Sequence, residues 1–141
     1  MNSNHSVDNE VNDYLEGGSK GIRDIAFATH NALIANGCHA YFKTIYIGYD
    51  LDGEMVAALY KRADHIELAL ALPEEHESNL LVDATHLTWR TLPVAASFTK
   101  SSQLKEVTSL IIEACARVQS DSHSVYRDND FFTKHKRRPR P

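Results

Sequence analysis

The sequence predicts an α+β fold, in which an antiparallel sheet of four to five strands, with a meander at its centre, carries N-terminal and C-terminal helices on one face. Two observations predict this class. Residues 44–72 have the pattern of short strands joined by tight turns, and apolar residues at helical spacing lie before and after this stretch. Strands grouped together and flanked by helices are typical of α+β domains.

The length of 141 residues allows one domain with one modest core. Residues 1–18 predict a polar N-terminal extension that can form one short helix, residues 19–120 the single α+β domain, and residues 121–141 a C-terminal extension with a disordered basic tail. The polar start lacks the pattern of a secretory signal, and no apolar run approaches the roughly 18 residues that span a bilayer. We therefore expect a cytoplasmic protein that does not enter a membrane.

The first strong helix is predicted over residues 19–36. Ser19 can cap its N-terminus, and Gly37 can end it with a positive φ. Its apolar stripe consists of Ile22, Ile25, Ala26, Thr29 and Leu33. A second helix begins near Leu104 after a serine cap at Ser101 or Ser102, and its stripe consists of Leu104, Val107, Ile111, Ala114 and Val118.

The meander between these helices is predicted from alternation and turn residues. One strand is expected from His39 to about Tyr49, a turn at Gly53, and a second strand over residues 55–60. Residues 65–72 alternate with period two, so Ile66 and every second residue after it form one apolar face. That pattern predicts a half-buried antiparallel strand. Residues 94–98 alternate again and predict the last strand.

Charge is distributed unevenly along the chain. Ten of the 15 basic residues and all 19 acidic residues precede Lys134, so residues 1–133 carry −9 and the last eight residues carry +5. An acidic body argues against a broad nucleic-acid-binding face. The basic tail offers weak, salt-sensitive contact with phosphates as an alternative, through Lys134, Lys136, Arg137, Arg138 and Arg140.

A basic turn with nearby aromatic residues is the strongest candidate binding region. Lys61 and Arg62 follow the second strand, and aromatic rings beside cations are a feature of anion-binding surfaces. The candidate ligand-binding residues are Lys43, Tyr46, Tyr60, Lys61, Arg62, His65 and Trp89. A solvated hairpin tip and a tryptophan that anchors the core are the alternative interpretations.

Metal binding and catalysis have weaker support. The eight histidines include no HExxH pair, and the two cysteines, Cys38 and Cys115, form no CxxC motif, so we expect reduced thiols, no native metal site and no cofactor. Iron or other metal handling by His65, Glu67 and the acidic loop 74–77 is the second alternative. No nucleophile-elbow pattern occurs, which favours a non-catalytic protein, although Ser/His/Asp and Cys/His sites remain open.

Several of these segments also resemble a known family. The residues 46–49, 55–62 and 66–70, the tryptophan at 89, the alternating strand 94–98 and the helix beginning with serine and leucine resemble the bacterial domain of unknown function 5655 family. The likeness covers roughly residues 20–119 and extends to the broader YdhG-like and MmcQ/YjbR-like folds. Acidic residues at Asp50, Asp52 and Glu54, and no glycines beside Trp89, depart from the family pattern.

The resemblance implies a small antiparallel α+β fold and no established activity. YdhG-like relatives have been linked to iron delivery, but no ligand residues carry over to this chain. The prediction is therefore a cytoplasmic, non-catalytic binding or interaction domain with an unknown protein or small-molecule partner. An exposed sheet edge is compatible with either a monomer or a homodimer.

Overall fold

The computed structural model describes residues 10–84 and 92–120. Residues 10–16 are helical (α1). The later helices are Lys20–Ala35 (α2) and Leu104–Val118 (α3), the latter preceded by a 3-10 turn, Ser101–Gln103. The strands are His39–Lys43 (β1), Tyr46–Leu51 (β2), Glu54–Lys61 (β3), Ile66–Leu70 (β4), Leu81–Asp83 (β5) and Val94–Phe98 (β6).

The described strands form one six-stranded sheet in the order β1-β2-β3-β4-β6-β5, and every neighbouring pair is antiparallel. The predicted α+β class is therefore confirmed, with the meander β2-β3-β4 inside the sheet. Six strands rather than four to five are present for two reasons. Residues 81–83 add a short edge strand, and the expected first strand over residues 39–49 is divided into β1 and β2.

The division between β1 and β2 occurs at Thr44 and Ile45, where the chain reverses. Thr44 has a φ of 50°, a conformation that β-branched residues rarely adopt. No glycine, asparagine or proline marks this turn, so residue types alone predicted one continuous strand. In the structure Lys43 pairs directly with Tyr46 across a tight hairpin.

Helix α2 follows its predicted pattern closely. The Oγ atom of Ser19 accepts a hydrogen bond from the backbone N–H of Ile22 at 3.4 Å, and the five residues of the predicted stripe are the buried ones. Gly37, with a φ of 96°, follows the helix end. Thr29 is buried without loss of a hydrogen bond, because its hydroxyl donates to the carbonyl of Ile25 at 2.7 Å.

Helix α1 belongs to the packed unit. Val11 and Leu15 are buried in the core. The hydroxyl of Tyr14 donates to the carbonyl of Ile45 at 2.8 Å and accepts the backbone N–H of Lys61 at 2.9 Å. This helix thus fastens the β1–β2 turn to the end of β3, a role that its polar composition did not indicate.

The helices lie on one face of the sheet. The hydroxyl of Tyr49 on β2 lies 2.9 Å from Nδ1 of His30 on α2, and the ring of Tyr14 lies 5.3 Å from that of Phe42 on β1. Helix α3 packs beside α2 and over β3 and β4. The buried residues of α3 are Val107, Leu110, Ile111, Ala114, Cys115 and Val118.

The start of α3 and the burial of β4 differ from expectation. The side chain of Gln103, not a serine, accepts the N–H groups of Thr99 and Lys100, each at 3.0 Å, at the entry to the helix. Strand β4 is buried on both faces rather than half-buried. It lies inside the sheet between β3 and β6, and its one charged residue, Glu67, has an arginine partner that permits burial.

None of the helices among the described residues combines the length and the apolar character that a membrane span requires.

Gly48 provides a test of how closely the sheet packs. A Cβ atom at this position would lie far inside van der Waals distance of the hydroxyl end of the Tyr41 ring, so Gly48→Ala must displace that ring. We expect the substitution to lower the free energy of unfolding by about 1–3 kcal/mol. Urea denaturation followed by circular dichroism measures this change.

Gly21 in helix α2 is the matched control, because a Cβ atom there would meet nothing within 4 Å. Gly21→Ala should raise stability by up to about 1 kcal/mol through helix propensity. Equal effects of the two substitutions would contradict the close approach of Tyr41 to the backbone of β2.

Candidate functional site

The side of the sheet opposite the helices carries most of the polar aromatic residues of the described strands. Strand alternation and register place six residues together on this side. We call this surface the tyrosine face and define it as Tyr41, Lys43, Tyr46, Tyr60, Arg62 and Glu67. They come from β1, β2, β3, β4 and the turn after β3.

A row of small residues runs across the centre of the same side. Gly48, Ala58, Ala69 and Ala95 are paired in register from β2 to β6. The three alanines are fully buried. The ring of Tyr41 occupies the space over Gly48. The larger side chains of the tyrosine face therefore extend beyond this central row of small residues.

Aromatic rings and cations lie in contact within the tyrosine face. The rings of Tyr46 and Tyr60 lie 5.2 Å apart, and the guanidinium carbon of Arg62 lies 4.9 Å from the centre of the Tyr60 ring. The ammonium of Lys43 lies 6.0 Å from the centre of the Tyr41 ring. Contacts at these distances are within the range of cation–π attraction.

Arg62 is held in place by Glu67. Its Nη2 and Nε atoms donate to the same carboxylate oxygen, at 2.6 and 3.1 Å. Glu67 is 8% exposed, whereas the Arg62 side chain keeps 38% of its surface in solvent. Glu67 therefore holds a partly exposed Arg62 side chain in place, with its guanidinium next to a tyrosine ring.

Burial also affects the ionisation of groups beside this surface. Burial raises the pKa of the Tyr41 hydroxyl, and the charge of Asp50 raises it further. Partial burial likewise raises the pKa of Asp50 above its ordinary value, although its contact with the Tyr41 hydroxyl opposes that shift. Both groups therefore favour their neutral forms more strongly than they would in water.

The structure unites only part of the predicted ligand-binding set. Lys43, Tyr46, Tyr60 and Arg62 lie together, but Lys61 lies on the helix side, where its ammonium donates to the carbonyl of Gly17 at 2.9 Å. His65 precedes β4, and its Nδ1 lies 2.8 Å from a carboxylate oxygen of the adjacent Asp64. Trp89 lies outside the described residues.

The two residues of the basic turn thus point to opposite sides of the sheet. Lys61 is occupied by the backbone near α1 and the ring of Tyr14, and Arg62 by Tyr60 and Glu67. They do not form a joint anion site. The five basic residues of the tail lie in residues 121–141, outside the described part of the chain, so nucleic-acid association stays a prediction.

The described ranges, 10–84 and 92–120, contain no group of three or more histidine, cysteine or acidic residues placed to hold a metal ion. His65 and Glu67 do not combine, because Glu67 is buried against Arg62. The half-buried strand predicted over residues 65–72 would place Glu67 on its solvent-facing side, and that expectation is wrong, because Glu67 is buried. The tight arginine contact explains its burial.

A small cavity of about 180 Å³ lies beside β5, lined by Glu74, His76, Leu81, Val82, Asp83, Pro93 and Val94. Its histidine has a structural role. Nε2 of His76 contacts the carboxylate of Glu113 at 3.0 Å, and its Nδ1 accepts the backbone N–H of Ser78 at 3.1 Å. These bonds attach the acidic loop to α3.

Sequence reasoning missed Tyr41 and the partner of Arg62. Tyr41 stands two residues before Lys43, so period-two alternation already places both on one face of the predicted strand. The Arg62–Glu67 pair had a weaker signal, an opposite charge five residues away across a turn. That pairing depends on the register of β3 and β4, in which Tyr60 stands opposite Glu67.

Comparison of the chain with protein-family models, with curated proteins and with solved structures found no match. The resemblance to the domain of unknown function 5655 family and to YdhG-like folds accordingly stays a prediction.

Loss of the Arg62 guanidinium should destabilise the fold. Arg62→Met leaves the buried Glu67 carboxylate without these two bonds, and we expect a loss of about 1–2 kcal/mol, less than for a fully buried pair because Arg62 is partly solvated. Adding Glu67→Gln should recover part of that loss. Urea denaturation of the single and double variants measures the coupling.

Lys20→Met is the matched control, because it breaks an ion pair with Asp24 in which both side chains are more than half exposed. Its effect should stay under about 0.5 kcal/mol. A result for Arg62→Met as small as this would show that the pair on the tyrosine face contributes nothing to stability.

Asp50 gives a pH-dependent prediction. Because the folded pKa is raised, the neutral carboxyl group is favoured by folding, and this contribution is lost as the pH rises through the folded pKa. Asp50→Asn removes the penalty of the charged form. The variant should therefore gain stability over the natural protein at about pH 7, with a smaller gain at about pH 3.

Chemical denaturation of both proteins at the two pH values checks the sign. A gain that is independent of pH, or larger in acid, would contradict the inferred penalty on the Asp50 carboxylate.

Proposed function

We propose that this protein is a non-catalytic binding module whose tyrosine face recognises a small ligand, or a segment of a partner, that carries a planar ring and an anionic group. The observation that supports this proposal is the Arg62 side chain, which Glu67 holds in place, which is 38% exposed, and whose guanidinium carbon lies 4.9 Å from the centre of the Tyr60 ring. Its recognition chemistry is a carboxylate or phosphate on the arginine and a ring on the tyrosines.

The arginine is suited to this task because it is oriented before the ligand arrives. A guanidinium has five N–H donors, and Glu67 takes two of them through one oxygen. The other three have no partner among residues 10–84 and 92–120. An anion that binds them gains directed hydrogen bonds with little further loss of side-chain freedom.

The tyrosine pair supplies the second half of the contact. Tyr46 is only partly buried, and its ring lies beside that of the buried Tyr60. Flat aromatic rings with few rotatable bonds bind planar groups at low entropic cost, and Tyr and Arg are enriched among the residues that dominate binding energy. Lys43, exposed at the end of β1, adds positive charge nearby.

The charge of the chain favours a small ligand over a long polyanion. Residues 1–133 carry −9, which repels an extended nucleic acid at a distance. A single carboxylate or phosphate group interacts electrostatically mainly with the cations next to it. The proposal therefore concerns compact anions, and the alternative of binding through the basic tail predicts a different ligand.

A paired ligand panel tests the proposal. Nucleoside monophosphates and aromatic carboxylates are compared with their uncharged parents, nucleosides and aromatic amides, by ligand-observed NMR and thermal shift. We expect binding by at least one anionic member and at least about 10-fold weaker binding by its parent, because the charged hydrogen bonds are lost. A single-stranded oligonucleotide is included to test the alternative, in which the basic tail binds nucleic acid.

Two variants locate the site. Arg62→Lys keeps the charge but removes the planar fork, and Tyr46→Leu keeps bulk but removes the ring. Each should weaken the bound ligand about 10-fold, because a point charge or an aliphatic side chain replaces the matched contact. Lys105→Met, on the exposed surface of α3, should leave affinity unchanged. Absence of any binding, or affinity unaffected by Arg62→Lys and Tyr46→Leu, would disprove the proposal.

A further inference from the structure

The two cysteines of the chain meet in the core, although 77 positions separate them. The Sγ atoms of Cys38 and Cys115 lie 3.8 Å apart, in hydrogen-bonding contact. Both are reduced in the structure. Cys38 lies between the end of α2 and the start of β1, and Cys115 lies in the last turn of α3.

We propose that Cys38 and Cys115 form a redox-sensitive site, in which hydrogen peroxide converts the buried dithiol into a disulfide that joins the α2–β1 junction to α3. The geometry needs only a local adjustment. Sulfur atoms in a disulfide are about 2.05 Å apart, so the two atoms must approach by roughly 1.8 Å, which side-chain rotation and small shifts at the helix end can provide.

The environment assigns a role to each sulfur. The hydrogen bond between the two sulfurs raises the pKa of the Cys38 thiol and lowers the pKa of the Cys115 thiol. Either sulfur can be the donor while both are thiols, and ionisation of Cys115 leaves the Cys38 S–H group as the donor to its thiolate. The two residues are 6% and 5% exposed, which admits a small oxidant more readily than a bulky disulfide.

The reaction balances in two steps. The Cys115 thiolate attacks one oxygen of hydrogen peroxide, an S–O bond forms, the O–O bond breaks, and the departing hydroxide becomes water with the proton that Cys115 released. The Cys38 sulfur then attacks the Cys115 sulfenic acid. The S–S bond forms, the S–O bond breaks, and hydroxide leaves as water with the Cys38 proton. Two thiols are oxidised by two electrons, and one peroxide is reduced to two water molecules.

The position of the bond determines its effect. It would close a loop of nearly 80 residues that contains β1 to β6, and long loops restrict the unfolded chain most strongly. It would also attach the junction before β1 to α3. Strand β1 is an edge strand that pairs only with β2 among the described strands. Oxidation should therefore stabilise the protein.

The experiment uses the full chain, reduced and then treated with hydrogen peroxide. We expect the mass to fall by about 2 Da, both free thiols to disappear on denaturing titration, and peptide mapping to join the Cys38 and Cys115 peptides. The melting temperature should rise by about 5 °C or more and return on treatment with dithiothreitol. The single variants Cys38→Ala and Cys115→Ala should show no internal cross-link.

The natural protein alone decides the result if either variant fails to fold. Persistence of both thiols under conditions that oxidise the urea-unfolded chain overturns the proposal. So do oxidation to sulfinic acid without a cross-link, disulfide-linked dimers in place of the internal bond, and a melting temperature that does not rise. Unlike the ligand experiments, these readouts do not involve the tyrosine face.

Discussion

The packing of the helices against the central strands β3 and β4 is the constraint on which the rest of the molecule depends. Leu59 stands opposite Leu68 on the helix side, and both are fully buried beneath helices that also bury Leu33 and Ile111. Because side chains alternate along a strand, placing these residues inward fixes Tyr60 and Glu67 on the other side. The hydrophobic register thus determines which polar residues share the tyrosine face.

That dependence explains what could be predicted from the sequence. The class, both long helices, the strands around Gly53 and the buried residues Ile66, Leu68 and Leu70 follow from period and turn chemistry, which are local properties. The β1–β2 turn did not follow, because Thr44 adopts its positive φ without the residue types that ordinarily favour it. The hydroxyl of Tyr14 bonds to the carbonyl of Ile45 within this turn, a contact 31 positions away in sequence.

The candidate site was predictable to a similar degree. Lys43, Tyr46, Tyr60 and Arg62 were named from composition near a turn, and the structure brings them together. The sequence did not separate Lys61 from Arg62, because the predicted strand ends at residue 60 and leaves both in the turn, whereas β3 continues through Lys61 and the two side chains point to opposite sides. Nor could it identify Glu67 as the partner of Arg62. A charged residue in a period-two pattern ordinarily faces water. The contact with Arg62 offsets the free-energy cost of burying the Glu67 carboxylate.

Strand β1 connects the dithiol to the tyrosine face. Cys38 immediately precedes this strand, and Tyr41 and Lys43 within it form one end of the tyrosine face. An edge strand has hydrogen-bonded support from one side only, so attachment of the residue just before β1 to α3 restrains this strand more than a similar bond would restrain β3 or β4. Arg62 lies beyond the far end of β3 and is held by its own ion pair. Oxidation should therefore stabilise the strand that carries Tyr41 while the orientation of Arg62 stays the same.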